Sequence, residues 1–203
     1  MGGVADNGVY WHIVTSTLFQ GGAVIMGLAM VARLVSPRQW MVRGVDMRLA
    51  NGTMVALLVV WNLVFGILAM VTGIWMTWGY ETVIQKSLTI NKEMFGTFAL
   101  LALVLMLWLR YRYGPELWND VALKTSYGVL GLIVVAVAIV NGSLGGEAGL
   151  LGSILAPFWN FLGIAPGYPM VLPTLGGIVF LAVVVAGTGL AVIAGLMRRR
   201  AVS

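Results

Sequence analysis

Cysteine is absent from the 203 residues, and ionisable side chains are scarce. Without cysteine, the chain cannot form disulfides, thiolate metal sites, iron–sulfur clusters or covalent c-type haem attachments. Charged residues make up 9% of the chain and hydrophobic residues 60%, whereas soluble domains carry roughly 25% charged residues. So few charges cannot cover a surface that faces water. The composition therefore predicts an integral membrane protein.

The formal charge of +5 does not indicate a nucleic-acid-binding protein. That function requires a clustered basic face with stacking aromatic side chains. The basic residues here lie instead in short groups between long apolar stretches, which is typical of topology signals and lipid-headgroup contacts. We expect other membrane protein subunits and lipids as partners, and no nucleic acid.

Five apolar stretches are long enough to cross a bilayer, which requires about 20 mainly apolar residues per helix. The sequence predicts transmembrane helices at 9–32, 52–78, 94–111, 126–144 and 171–197. Backbone groups in hydrocarbon must be hydrogen-bonded within the segment, and no period-2 alternation indicates a barrel. The predicted fold is one all-α transmembrane domain, a five-helix bundle covering residues 1–203.

The distribution of lysine and arginine predicts the orientation of this bundle. The first connection, the third connection and the C-terminal tail together hold ten of these residues, whereas the second connection holds two and the fourth none. Because cytoplasmic loops carry the excess of Lys and Arg, we expect the N-terminus outside and the C-terminus in the cytoplasm.

Residues 148–170 form an apolar connection on the predicted outer side, broken by Pro157, Pro166 and Pro169. One interpretation is an interfacial or re-entrant segment whose aromatic side chains lie at headgroup depth. The other is a loop packed on a partner subunit. Both remain open, because apolar backbone that is not helical needs a protein or interfacial setting either way.

His12 is the single histidine, and it lies near the outer end of the first span beside Tyr10 and Trp11. A neutral imidazole there could ligate haem iron or exchange protons with a quinol, so haem b and quinone are the cofactors to consider. The alternative is an interfacial residue in an aromatic belt. A bis-histidine haem would need a second histidine from a partner chain.

Three charged residues form a possible polar site on the same outer face. Glu147 ends the fourth span, while Lys92 and Glu93 immediately precede the third. An ionisable group at membrane depth is a functional-site hypothesis by default. Their positions at helix ends are equally compatible with a structural role in contact with water.

Polar side chains within the spans predict helix packing. Gln20, Asn62 and Asn141 are costly in hydrocarbon, so each is expected to find a partner across a helix interface. Thr15, Ser16 and Thr17 can bond back to carbonyls of their own helix. All seven acidic residues lie outside the predicted span cores, and no catalytic motif is recognisable. We therefore predict neither a transport pathway nor a self-contained enzyme.

The end of the fourth span resembles a functionally uncharacterised family of four-helix prokaryotic membrane proteins. The similar features are His12, the stretch GIWMTWGY at Gly73–Tyr80, and the G-x-L-G-G-E sequence at Gly142–Glu147. The resemblance covers roughly residues 10–150 and implies a prokaryotic plasma membrane. Further histidines in that family imply haem binding. Thr17 and the stretch 91–93 stand near the corresponding positions here, which implies that this chain has lost that ability.

Three functions fit these observations. The first is an accessory or structural subunit of a larger membrane complex, of the respiratory or electron-transfer kind, because packing faces are abundant and intramembrane charges few. The second is a membrane redox protein that binds haem b or quinone through His12. The third is a small transporter, which would need Gln20, Asn62 and Asn141 to meet in one polar cavity.

Overall fold

The computed structural model describes residues 3–35, 41–74 and 87–148, together with the isolated residues Pro157 and Phe161. Within these ranges the chain is helical except for one short hairpin and the turn at Asn119 and Asp120. The elements in chain order are α1 (Gly3–Val35), β1 (Met41–Val42), β2 (Val45–Asp46), α2 (Met47–Val71), α3 (Ser87–Tyr113), a 3₁₀ helix (Gly114–Trp118) and α4 (Val121–Ala148).

All four α-helices are long and apolar enough to cross a membrane. The corresponding stretches are Gly8–Val35, Met47–Ile74, Lys92–Trp118 and Val121–Gly145. These stretches confirm an all-α, multi-pass membrane protein and four of the five predicted spans. The predicted fifth span at 171–197 lies outside the described residues, as does 148–170 apart from Pro157 and Phe161.

A tight hairpin reverses the chain between α1 and α2. Its strands pair antiparallel, Met41 with Asp46 and Val42 with Val45. The two turn residues have positive φ, +50° at Arg43 and +80° at Gly44, which is the backbone pattern of a type I′ turn. Asp46 then caps α2 by accepting hydrogen bonds from the backbone N–H groups of the next turn. The cap explains why the helix begins before the predicted start at residue 52.

The four helices alternate in direction around a common core. α1 packs on α2 and α4, and α3 packs on the same two helices. We call the end where α1 and α3 finish the arginine end, because Arg33, Arg48 and Arg110 lie there. The opposite end, with His12 and Lys92, is the histidine end. Fully buried side chains between these ends include Met26, Met30, Leu103, Met106, Tyr127 and Val134.

Bare glycine backbone lets the helices approach closely. A Cβ atom on Gly27 of α1 would lie 2.8 Å from Cγ2 of Val135 on α4. A Cβ atom on Gly66 of α2 would lie 2.8 Å from a methyl carbon of Leu100 on α3. Transmembrane helices associate through such small-residue contacts. The glycines therefore fix how the helices that carry the polar side chains are positioned.

Candidate functional site

His12 is held at the interface between α1 and α2 by a hydrogen bond to the backbone. Its side chain is 8% exposed, and Nδ1 lies 2.9 Å from the carbonyl oxygen of Ala69. A carbonyl oxygen only accepts, so Nδ1 carries the proton and donates it. Ala69 lies in the last turn of α2, where backbone carbonyls can accept hydrogen bonds from side chains of other helices. The geometry therefore assigns Nε2 of the neutral ring as an acceptor.

Lys92 donates a hydrogen bond to Nε2 of His12. Its Nζ lies 3.1 Å from Nε2 of His12, and its side chain is 9% exposed. A Cβ atom on Gly145 of α4 would lie 3.3 Å from the same Nζ, so the bare glycine backbone gives the ammonium its space. Lys92 is thus part of the bundle interior, because α3 begins at Ser87, earlier than the predicted start at residue 94.

Hydroxyl groups extend the polar contacts along α1. Oγ1 of Thr15 donates to the carbonyl of Trp11 at 2.8 Å and lies 3.2 Å from Oγ1 of Thr72 on α2. Oγ of Ser16 donates to the carbonyl of His12 at 2.6 Å. These bonds confirm the prediction that Thr15 and Ser16 bond back to their own helix. The Thr15–Thr72 contact adds a second polar link between α1 and α2.

A small cavity lies beside the His12–Lys92 pair. Its volume is about 40 Å³, and its polar lining consists of His12, Ser16, Gln20, Lys92, Glu93 and Asn141. A water molecule needs roughly 10–15 Å³ of such volume and two to four polar partners. The cavity therefore has room for about three waters. Five of the residues that the sequence singled out converge here from three helices.

The other two predicted site residues are Glu147 and Asn62. The side chain of Glu147 lies outside the described residues, although its backbone belongs to α4. Asn62 is fully buried at the α1–α2 interface, where its Oδ1 would lie 3.0 Å from a Cβ atom on Gly22. The three amides Gln20, Asn62 and Asn141 therefore do not meet in one place.

The hydrogen bond of the Asn62 donor stays within its own helix. Nδ2 donates to the carbonyl of Leu58 on its own helix at 2.7 Å, and Oδ1 is buried without a hydrogen-bond partner in the part of the chain that the structure describes. A short amide side chain reaches the i−4 carbonyl without any help from a neighbouring helix. Gln20 packs instead against Gly142 of α4.

The site has limited capacity for a cofactor. Among residues 3–35, 41–74 and 87–148, no group of three or more His, Asp or Glu side chains could hold a metal ion. Pockets that enclose a small organic ligand measure roughly 300–1,000 Å³, many times the 40 Å³ found here. Neither a porphyrin nor a quinone ring fits this cavity as it stands. The arrangement suits bound water and the exchange of protons.

No protein-family model, curated protein or solved structure matches the chain. The site is therefore defined by its own geometry. It is a buried histidine–lysine pair beside a polar cavity at one end of a multi-pass membrane protein. The resemblance to the four-helix family stays a prediction.

Proposed function

We propose that this protein is an accessory, non-enzymatic subunit of a larger membrane complex of the respiratory or electron-transfer class. We further propose that it resides in a prokaryotic plasma membrane with its arginine end in the cytoplasm, which the distribution of Lys and Arg supports. The observation that carries the subunit proposal is the uneven burial of the four helices.

α2 is far less enclosed than the other three α-helices that the structure describes. Its most apolar 18-residue stretch is 17% buried inside the bundle, compared with 39% to 44% for the other three. The exposed face is broad and bulky, comprising Met54, Leu57, Val60, Trp61, Val64, Ile67 and Leu68. A helix that is apolar all round is typical of one enclosed by protein or lipid. This α2 face is the surface that we assign to a neighbouring subunit.

A photo-crosslinking amino acid tests this assignment in the intact membrane. Leu57 on α2 is 67% exposed and Leu28 on α1 is 66% exposed, and both lie in the half of the bundle nearer the arginine end. We expect the probe at position 57 to capture another polypeptide at fixed stoichiometry after mild detergent extraction. The matched probe at position 28 should capture lipid.

Two outcomes would contradict the subunit proposal. One is recovery of the protein as a lone monomer under mild extraction. The other is capture of lipid alone at both probe positions, which would mean that α2 faces the bilayer.

A redox subunit that uses His12 is the second candidate. It is supported by the bond from Nδ1 of His12 to the Ala69 carbonyl, because metal-binding histidines are commonly oriented by such a bond on the opposite nitrogen. Binding a haem there would require Lys92 to withdraw from Nε2 and the cavity to enlarge. A pyridine haemochrome spectrum of the purified chain, together with quinol oxidation by a His12→Ala variant of the complex, tests this candidate. No Soret band and unchanged activity would eliminate it.

A further inference from the structure

A second pocket lies at the arginine end, on the far side of the bundle from His12. It measures about 200 Å³, which is several times the share of liquid volume that one water occupies, roughly 30 Å³. Its lining brings together the end of α1, the start of α2, the end of α3 and the 3₁₀ helix. The residues that matter chemically are Arg33, Asp46, Arg48, Arg110 and Trp118.

Two buried N–H donors in this pocket have no acceptor among residues 3–35, 41–74 and 87–148. The side chains of Arg33 and Trp118 are 9% and 5% exposed, and within those ranges neither Nε of Arg33 nor Nε1 of Trp118 has a hydrogen-bond partner. A Cβ atom on Gly52 would lie 3.1 Å from Nε1 of Trp118 and 3.5 Å from Nε of Arg33. The two donors therefore flank the same bare stretch of α2.

The donors are held in place by aromatic packing. The guanidinium carbon of Arg33 lies 5.0 Å from the centre of the Trp118 ring, within the range of a cation–π contact. The Tyr127 ring also packs edge to face against Trp118, with the ring centres 5.4 Å apart. A buried donor without an acceptor is costly. Their fixed positions indicate a ligand that supplies acceptor atoms.

The charge of the pocket defines that ligand as an anion. Three arginines against one aspartate give the lining a formal charge of +2. The Asp46 carboxylate already accepts hydrogen bonds from the backbone N–H groups of Arg48 and Leu49 as the cap of α2. Arg110 uses Nη1 to donate to the carbonyl of Gly114 at 2.8 Å. Guanidinium groups recognise phosphate oxygens through paired, charge-assisted hydrogen bonds.

We propose that this pocket binds a phosphate group, with Arg33 Nε and Trp118 Nε1 as buried donors and with Arg48 and Arg110 supplying positive charge. Trp118 is the last residue of the third apolar stretch, so the pocket lies where lipid headgroups begin. Basic pockets at such positions hold anionic headgroups. The phosphate belongs either to an anionic phospholipid or to a soluble phosphate, and the two sources share the same recognition chemistry.

The test uses the full-length protein purified in a neutral detergent. One arm measures retention of phosphatidylglycerol against phosphatidylcholine by native mass spectrometry. The other arm measures the thermal midpoint in rising concentrations of inorganic phosphate, with chloride at equal ionic strength as the reference. Preferential retention of phosphatidylglycerol identifies the lipid as the source, and stabilisation by inorganic phosphate identifies the soluble ion.

Four variants distinguish binding in the pocket from a general effect of positive charge on the protein surface. Arg33→Gln removes one buried donor and one charge, and Trp118→Phe removes the other donor but keeps an aromatic ring. Gly52→Ala keeps every charge and places a methyl group against both donors. Arg112→Gln is the matched control, because Arg112 is exposed at the same end of the bundle and does not line the pocket.

We expect Arg33→Gln to weaken binding about tenfold or more, which is the effect of losing a hydrogen bond to a charged group. Trp118→Phe and Gly52→Ala should also weaken binding, whereas Arg112→Gln should leave it within about twofold. If Arg33→Gln fails to fold, binding by Trp118→Phe and Gly52→Ala decides whether the pocket holds the phosphate. The proposal is overturned if the wild-type protein responds to neither ligand, or if the pocket variants bind as tightly as Arg112→Gln.

Discussion

The His12–Lys92 hydrogen bond gives the sharpest test of the site at the histidine end. We consider replacing each partner with an apolar side chain, His12→Leu and Lys92→Met, singly and together. Each single change removes one half of a buried bond of 3.1 Å. The double change removes both polar partners at once, which can be nearly neutral when the shapes are conserved. The two substitutions should therefore be coupled.

The expected coupling follows from the groups involved. Interhelical hydrogen bonds measured in a membrane protein average about 0.6 kcal/mol, whereas a bond to a charged group is worth about 1.5–3 kcal/mol in soluble proteins. The adjacent cavity, at about 40 Å³, has room for water, and a water bonded to the remaining partner would reduce the loss when the other partner is removed. We therefore predict a coupling energy of about 1–2 kcal/mol between the two sites.

The same interface offers a matched control pair. The hydroxyl oxygens of Thr15 and Thr72 lie 3.2 Å apart, yet each also donates to a carbonyl of its own helix, Trp11 and Leu68 respectively. Removing one hydroxyl leaves the other bonded to its own helix. The double-mutant cycle of Thr15→Val and Thr72→Val should therefore give a coupling energy of about 0.5 kcal/mol or less.

Reversible unfolding by sodium dodecyl sulfate in mixed micelles, followed by far-ultraviolet circular dichroism, gives the free energies for both cycles. A histidine–lysine coupling no larger than that of the threonine pair would refute the argument. It would mean that Nε2 of His12 and Nζ of Lys92 contribute independently, and that water substitutes fully for either one.

Two further predictions concern packing and orientation. Gly27→Ala would place a methyl carbon 2.8 Å from a methyl of the stiff Val135 side chain. It should therefore lower the free energy of unfolding by about 1–3 kcal/mol. The control is Gly21→Ala, whose added Cβ atom would meet nothing within 4 Å and which should be neutral or slightly stabilising in the same assay. Because the chain has no cysteine, a Val45→Cys variant carries a single thiol in the hairpin at the arginine end. We expect it to react with a membrane-impermeant maleimide only after the cells are opened, and rapid labelling of intact cells would reverse the proposed orientation.

The helices could be predicted from sequence because hydrocarbon length and composition leave few alternatives. Their ends could not. α2 begins at Met47 because Asp46 caps it and a two-residue turn precedes it, and neither feature changes the hydrophobic pattern. At its other end the α-helix reaches Val71 and Thr72–Ile74 continue it as a π turn, whereas the predicted end at residue 78 lies outside the described residues. A hydropathy pattern locates a span but does not reveal its caps.

The residues of the site at the histidine end could be predicted from sequence, but their pairing could not. His12 could be found because it is the single histidine, and Lys92 because it is charged near a span. Their hydrogen bond joins residues 80 positions apart, and no periodicity in the sequence encodes that pairing. The pocket at the arginine end is not predictable from sequence, because Arg33, Arg48 and Arg110 lie far apart in the chain and single arginines beside a span are also typical of topology signals. The presence of Trp118 near the end of the third span was the available clue to a built pocket.

Glycines at the helix–helix interfaces restrict how the helices are aligned along their axes. At Gly22, Gly66 and Gly142 a large side chain from the neighbouring helix occupies the space that a Cβ atom would need. At Gly22 and Gly66 the residues one turn away on the same helix face all carry a Cβ atom, so sliding one helix along its neighbour by a turn would drive the packed side chain into a Cβ atom. Steric exclusion of this kind does not weaken with salt concentration or acidity. The separation between the two polar ends is therefore set by shape, and it persists when their charges change.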